Sequence, residues 1–269
     1  MGIIPFLKKP KRNIGIAFGG GGARGFAHLG VIKALREHGI KFDHIAGVSA
    51  GAIAAAAYSV DMPFEEMKAA AQSLNKKDIL SSKLFFVPSD PKRVEQTFRK
   101  ILGDRDEFWK CKIPLSILSV DILSGREHVF CSGSTEIPIS RAVSASCAIP
   151  GVFSPVNHDK MLLMDGGLMN NVPASVLRDA GCHAVVSVHV GDISTPVAKS
   201  HGLMHVLPAA IKILIRATSQ KGMDKSDVVI VPQIEKQKLI SLDNIEAIIE
   251  AGYNATIARI DEIKELFKS

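Results

Sequence analysis

Short unbroken apolar runs alternate along this chain with longer stretches whose apolar residues recur every three or four positions. Ile14–Phe18 is the first such run and predicts a buried strand. Residues 26–38 follow with Phe26, Leu29, Ile32, Ala34 and Leu35 on one helical face, and Gly39 stops them. Residues 42–48 predict a second strand, and the small-residue run 52–57 a helix behind it. Helices are expected over 63–74, 93–102, 137–147, 172–180, 203–218 and 244–267. Strands are expected over 115–122, 128–131, 161–164, 184–190 and 228–231, the first two as a hairpin turning at Ser124-Gly125. Residues 75–92 read as an irregular flap. Strands alternating with helices imply an α/β fold, with a mostly parallel central sheet covered on both faces.

Bulk properties narrow this reading little. The chain has 269 residues, of which 46% are hydrophobic and 22% charged, so a sizeable core needs neither disulfide nor structural metal. There is no internal repeat and no evident linker. Residues 1–12 are therefore read as a basic N-terminal tail and 13–269 as a single domain. The net charge of +6 suits contact with an anionic surface, a membrane or a nucleic acid. Low aromatic content (6%) and the lack of a nucleic-acid motif leave the membrane. Cys111, Cys131, Cys147 and Cys182 show no Cys-x-x-Cys spacing, so reduced thiols and no metal site are expected. The tail runs apolar and then basic, the reverse of a secretory signal, and no run reaches the ~18 apolar residues of a membrane span. The expected location is the cytoplasm, at most peripheral to the inner face of a membrane.

Chemistry concentrates in three places. Gly47-Val48-Ser49-Ala50-Gly51 joins a strand to a helix with a serine between glycines, the nucleophile-elbow pattern. A strand-to-helix turn whose serine only caps the helix is the alternative. Gly19 to Gly22, then Ala23-Arg24-Gly25, separates the first strand from the first helix. Consecutive glycines let amides converge at a helix N-terminus, where they can hold a phosphate or an oxyanion. Gly20-x-Gly22-x-x-Gly25 also fits a dinucleotide fingerprint, with Asp43 as the ribose acid, although Asp43 precedes its strand instead of following it. A purely structural turn stays open too.

An activated serine needs a proton acceptor. Nine histidines are present, none in a convincing motif. His28 and His189 are expected to pack, and His158 to be exposed in a polar turn. Asp165, closing the strand 161–164 before Gly166-Gly167, is the better candidate, because ligands of a parallel sheet bind at the carboxyl ends of strands. Its ordinary pKa of about 3.9 makes it a weak base unless burial raises it. A simple turn is the competing explanation of Asp165-Gly166-Gly167.

In this order the three motifs resemble the patatin-like phospholipase family. Residues 144–153 and 168–173 look like the family as well, and the resemblance covers about residues 13–191. It implies a three-layer α/β/α sandwich that hydrolyses carboxylic esters of lipids, phospholipid or lysophospholipid, through an acyl-serine. By carry-over Ser49 is the nucleophile, Asp165 the base, and Gly20, Gly21, Gly22, Arg24 and Gly25 the oxyanion loop. Gly47 and Gly51 shape the elbow, and Gly166 and Gly167 complete the aspartate motif. No cofactor and no metal are implied. The partners are a lipid or acyl-ester substrate and an anionic membrane. One departure is Gly19, where plant members often carry Asp. A non-catalytic member of the same fold is the alternative. Two segments could meet lipid: the tail, and the apolar stretch 203–216, which is expected first as a buried helix over the sheet.

Overall fold

The computed structural model describes residues 13–75, 88–133, 136–191, 203–234 and 244–268. Eight strands form one sheet: β1 (Ile14–Phe18), β2 (His44–Val48), β3 (Leu115–Asp121), β4 (Arg126–Cys131), β5 (Val156–His158), β6 (Met161–Asp165), β7 (Ala184–Val188) and β8 (Val228–Ile230). The order is β5-β6-β3-β2-β1-β7-β8, with β4 also paired to β3. From β3 to β8 neighbours run parallel, whereas β4 and β6 lie antiparallel to β3. The sheet is therefore mixed, parallel through its centre.

Nine helices accompany it among the described residues: α1 (Ala27–Glu37), α2 (Ala50–Ser59), α3 (Phe64–Ser73), α4 (Lys92–Leu102), α5 (Ile139–Ser146), α6 (Ala174–Asp179), α7 (Leu203–Met223), α8 (Ile245–Ile257) and α9 (Ile260–Lys268). Strand residues sort by size between the two faces. Ile14, Ile16, Phe18, Ile45 and Ile117 join the large core beneath α1, α2 and α5. Ala17, Ala46, Val48 and Val185 meet Ala174 and Leu177 of α6 on the other face. Two faces thus explain why these strands are apolar without alternation. Three layers result, as the sequence implies.

Four expectations need correction. Residues 244–267 form two helices, because the chain turns at Ala258-Arg259, where the Arg259 guanidinium reaches the Val229 carbonyl at 3.3 Å. His158 is not in an exposed turn: it ends the short strand β5, half-buried with its ring 5.4 Å from that of Phe130. Asp43 cannot read a ribose near the glycine loop. Its carboxylate accepts the Ile14 amide at 3.0 Å, at the start of β1, while the loop leaves the other end. The dinucleotide reading therefore loses its acid.

The fourth concerns residues 203–216. They belong to the longer helix α7, but the helix is not buried: Val206, Ile213 and Leu214 are 48%, 55% and 43% exposed. The tail 1–12 and most of the expected flap lie outside the described residues.

Helices α1 and α8 cross at backbone contact. A Cβ on Gly30 would lie 1.9 Å from the Ile249 carbonyl oxygen, and one on Gly252 1.9 Å from that of Ala27. Gly252→Val should therefore force the helices apart and cost about 3 kcal/mol in urea unfolding; a loss under about 1 kcal/mol would show that the crossing gives way freely.

Candidate active site

β3 brings Ser49 and Asp165 together. Over Ser116–Leu118 it pairs with both β2 and β4, and over Ser119–Asp121 with both β6 and β4. A strand has two edges, and β4 occupies one throughout, so β2 and β6 share the other. β2 runs up that edge to Val48, opposite Leu118. β6 runs down it to Asp165, opposite Ser119. The two carboxyl ends meet head to head. The expectation that Asp165 closes a strand at the serine's end of the sheet holds, but through an antiparallel strand and not the parallel arrangement assumed.

At the meeting point the chain turns sharply. Ser49 has φ 54°, a region that side chains avoid and that costs about 1–3 kcal/mol to hold. Two contacts over-determine it. The Ser49 amide donates to Ser146 Oγ at 2.8 Å, and that hydroxyl donates to the Leu118 carbonyl at 2.6 Å. On the helix side a Cβ at Gly51 would stand 2.1 Å from the Phe18 carbonyl oxygen, so α2 can start there only with glycine. Gly47 is equally closed in, by Ala52 and Ala55.

The Asp165 carboxylate accepts the Gly167 amide at 2.8 Å, and the Ser49 hydroxyl stands beside it. Both Ser49 and Asp165 are 6% exposed. Burial is the larger influence and pushes the Asp165 carboxyl up to about 6, although the Ser49 hydroxyl and the Gly167 amide favour its ionised form. Burial, helped by the Asp165 charge, drives the neighbouring Cys147 thiol well above its ordinary range, so it stays protonated. His28 takes no part in this pair: its Nε2 is bonded to the Gly19 carbonyl at 2.8 Å, and burial lowers its pKa to about 4.

The glycine loop lies directly against the serine. A Cβ on Gly20 would fall 3.1 Å from Ser49 Cβ and 2.4 Å from Asn171 Oδ1. The Gly20 amide is already committed to the Asn171 carbonyl at 3.1 Å. Among the described residues the amides of Gly21 and Gly22 donate to no acceptor. Gly25 lets the turn Gly22–Phe26 press on Ala50, and half-buried Arg24 stands where its charge opposes protonation of His189.

Beyond Ser49 opens a cavity of about 190 Å³. Its walls are almost wholly apolar: Phe26, Leu29, Ile53, Met67, Phe98 and Phe153, with Ala50, Ala54 and Ala57 of α2. Small residues on α2 thus both seat the helix on the sheet and leave this space.

The sequence profile of the patatin-like phospholipase family matches residues 16–178. The chain belongs to the patatin-like phospholipase family. An NTE family protein of Mycobacterium tuberculosis is 30% identical over 295 residues, covering 96% of this chain and 48% of that protein. A lysophospholipase of Eremothecium gossypii is 29% identical over 198 residues, covering 70% of this chain and 12% of that one. The chain therefore spans about half the length, or less, of these relatives. VipD from Legionella pneumophila shares the fold, with a TM-score of 0.64 at 15% identity over 94% of this chain and 67% of VipD.

Several residues that hold this patatin-like site had no role assigned from sequence. Asn171 clamps the glycine loop through its carbonyl and, at 3.3 Å, its Nδ2 on the Gly20 carbonyl. From α7, Ser219 meets Asn171 Nδ2 at 2.9 Å and Thr218 donates to the Gly167 carbonyl at 2.8 Å. Ser146 and His28 complete the frame. The pair Asn170-Asn171 before Val172-Pro173 was the available signal, yet only its partners across the sheet reveal what it does.

A buried acid whose folded pKa is raised binds more protons folded than unfolded between about 3.8 and 6. Its stabilising contribution is complete below the lower value and is lost as pH rises through the upper one. Asp165→Asn should thus exceed wild type in unfolding free energy at pH 8 by up to about 3 kcal/mol, with the gap closing below pH ~4. A variant less stable than wild type at pH 8 would contradict that sign.

Proposed function

We propose that this protein hydrolyses carboxylic esters of lipids, with Ser49 as nucleophile and Asp165 as its general base. The observation that carries the proposal is the buried pairing of Ser49 with Asp165 beside an apolar cavity that Ser49 lines. In this reading the acyl chain of a phospholipid or lysophospholipid enters between α2, α3 and α4. Its ester carbonyl then stops at Ser49.

Ser49 Oγ bonds to the carbonyl carbon while its proton passes to Asp165. A carboxylate raised to about 6 is a stronger base than a solvated one. The carbonyl oxygen becomes an oxyanion facing the uncommitted amides of Gly21 and Gly22. Gly20 supports that loop through Asn171 instead of donating to it. Collapse of the intermediate breaks the bond to the leaving alkoxide, which takes the proton from Asp165. Water then attacks the acyl carbon as Asp165 accepts its proton; collapse of this second intermediate breaks the bond to Ser49 Oγ, which takes the proton back from Asp165, and the fatty acid leaves. Each residue used is part of the chain, and no step calls for a redox partner. The name of the lysophospholipase relative agrees with this substrate class.

Ester turnover against pH tests the proposal. kcat/KM should fall about tenfold per pH unit below pH ~6, where Asp165 is protonated. Asp165→Asn should lose about 10²–10⁴-fold in kcat with KM little changed, and Ser49→Ala should lose turnover to background. Turnover retained by folded Ser49→Ala would overturn the assignment.

A further inference from the structure

Helix α7 presents an unusual outer face. Thr218, Ser219 and Gly222 turn inward, where Thr218 and Ser219 reach Gly167 and Asn171. On the opposite side Val206, Ala210, Ile213, Leu214 and Ala217 are all exposed. At about 100° per residue these five fall within one arc of roughly 100°, a continuous apolar stripe. Ile213, at 55% exposed, stands at one edge of that arc and Leu214, at 43%, at the other. A packed helix ordinarily turns such a stripe toward the core, so a stripe turned outward marks a contact surface.

Charge says what that surface meets. Residues 203–223 contain no Asp or Glu. Lys212, Arg216 and Lys221 are exposed: Arg216 borders the stripe, Lys212 lies farther round on that flank, and Lys221 stands one turn beyond Ala217 in line with the stripe. An apolar stripe with cations on one flank and at its end, and no acid on the helix, suits a helix lying in a lipid interface, with its apolar side among acyl chains and its cations among anionic headgroups. Among the described residues no helix is long and apolar enough to cross a membrane, so α7 would lie on the surface and not span it. Its position matters as well. α7 is bonded to the turn carrying Asp165, and Met169, just past that turn, is 38% exposed. A surface held there would lie beside the site.

We infer that the outward face of α7 docks the protein on an anionic lipid bilayer and presents the site to it. The purpose of this docking rests on the proposed lipid-ester reading, but the docking is measured separately. The full chain is sedimented with vesicles of phosphatidylcholine alone and of phosphatidylcholine mixed with phosphatidylglycerol. Wild type should pellet with the mixed vesicles and stay in solution with the neutral ones. Ile213→Asp with Leu214→Asp, and separately Lys212→Glu with Arg216→Glu, should each weaken binding at least about tenfold. Both variants should keep wild-type far-UV circular dichroism and wild-type hydrolysis of a soluble short-chain ester. Wild type that ignores mixed vesicles, or variants that bind as well as wild type, would overturn the inference. So would a larger assembly that the Asp pair splits into single chains, because a second copy would then cover the stripe. Wild type that binds vesicles yet hydrolyses no ester upholds docking and overturns the hydrolase reading.

Discussion

One edge of β3 is shared end to end by two strands, and the rest of the site depends on that. β2 occupies it as far as Leu118 and β6 from Ser119 onward. Because β6 is antiparallel, its last residue arrives where β2 gives out. A parallel β6 would present its amino end there and carry Asp165 away. The strained Ser49 backbone is tolerated because β3 and α5 fix it from below through Leu118 and Ser146.

The remaining pieces brace this junction from the side. Asn171 ties the glycine loop to the aspartate turn, and Thr218 and Ser219 tie both to α7. The Gly20 amide is consumed in that bracing, which shifts the free donors one and two residues along the loop. Burial acts on chemistry as well as on packing. It lifts Asp165 toward useful basicity, and it leaves Cys147 and His28 uncharged. The small residues of α2 serve two ends, seating the helix against Gly47 and the sheet and lining an apolar space at Ser49.

Much of this was legible in the chain. Unbroken runs such as Ile14–Phe18 and Ala184–Val188 announce strands covered on both faces, and Gly51 announces the close approach it permits. Strand direction was not legible, since a short apolar run reads the same either way, and that hid the antiparallel β6. Nor was the exposure of α7: an apolar stripe looks alike whether it meets a sheet or solvent. The three-residue strand β5, with Asn157 at its centre, carries too little pattern to be seen. Asn171 and Ser146 act across sequence separations of 151 and 97 residues, which no local reading reaches.

On the proposed reading, the end-to-end junction of β2 and β6 builds one acyl-transfer site from serine, aspartate and glycine loop. A crystal structure after reaction with a long-chain alkyl fluorophosphonate tests it most directly. Phosphorus should be bonded to Ser49 Oγ, with the phosphonyl oxygen within hydrogen-bond distance of the Gly21 and Gly22 amides and the alkyl chain in the cavity beside Ile53 and Phe98. An adduct on another residue, or a phosphonyl oxygen turned away from the loop with the chain in solvent, would contradict it.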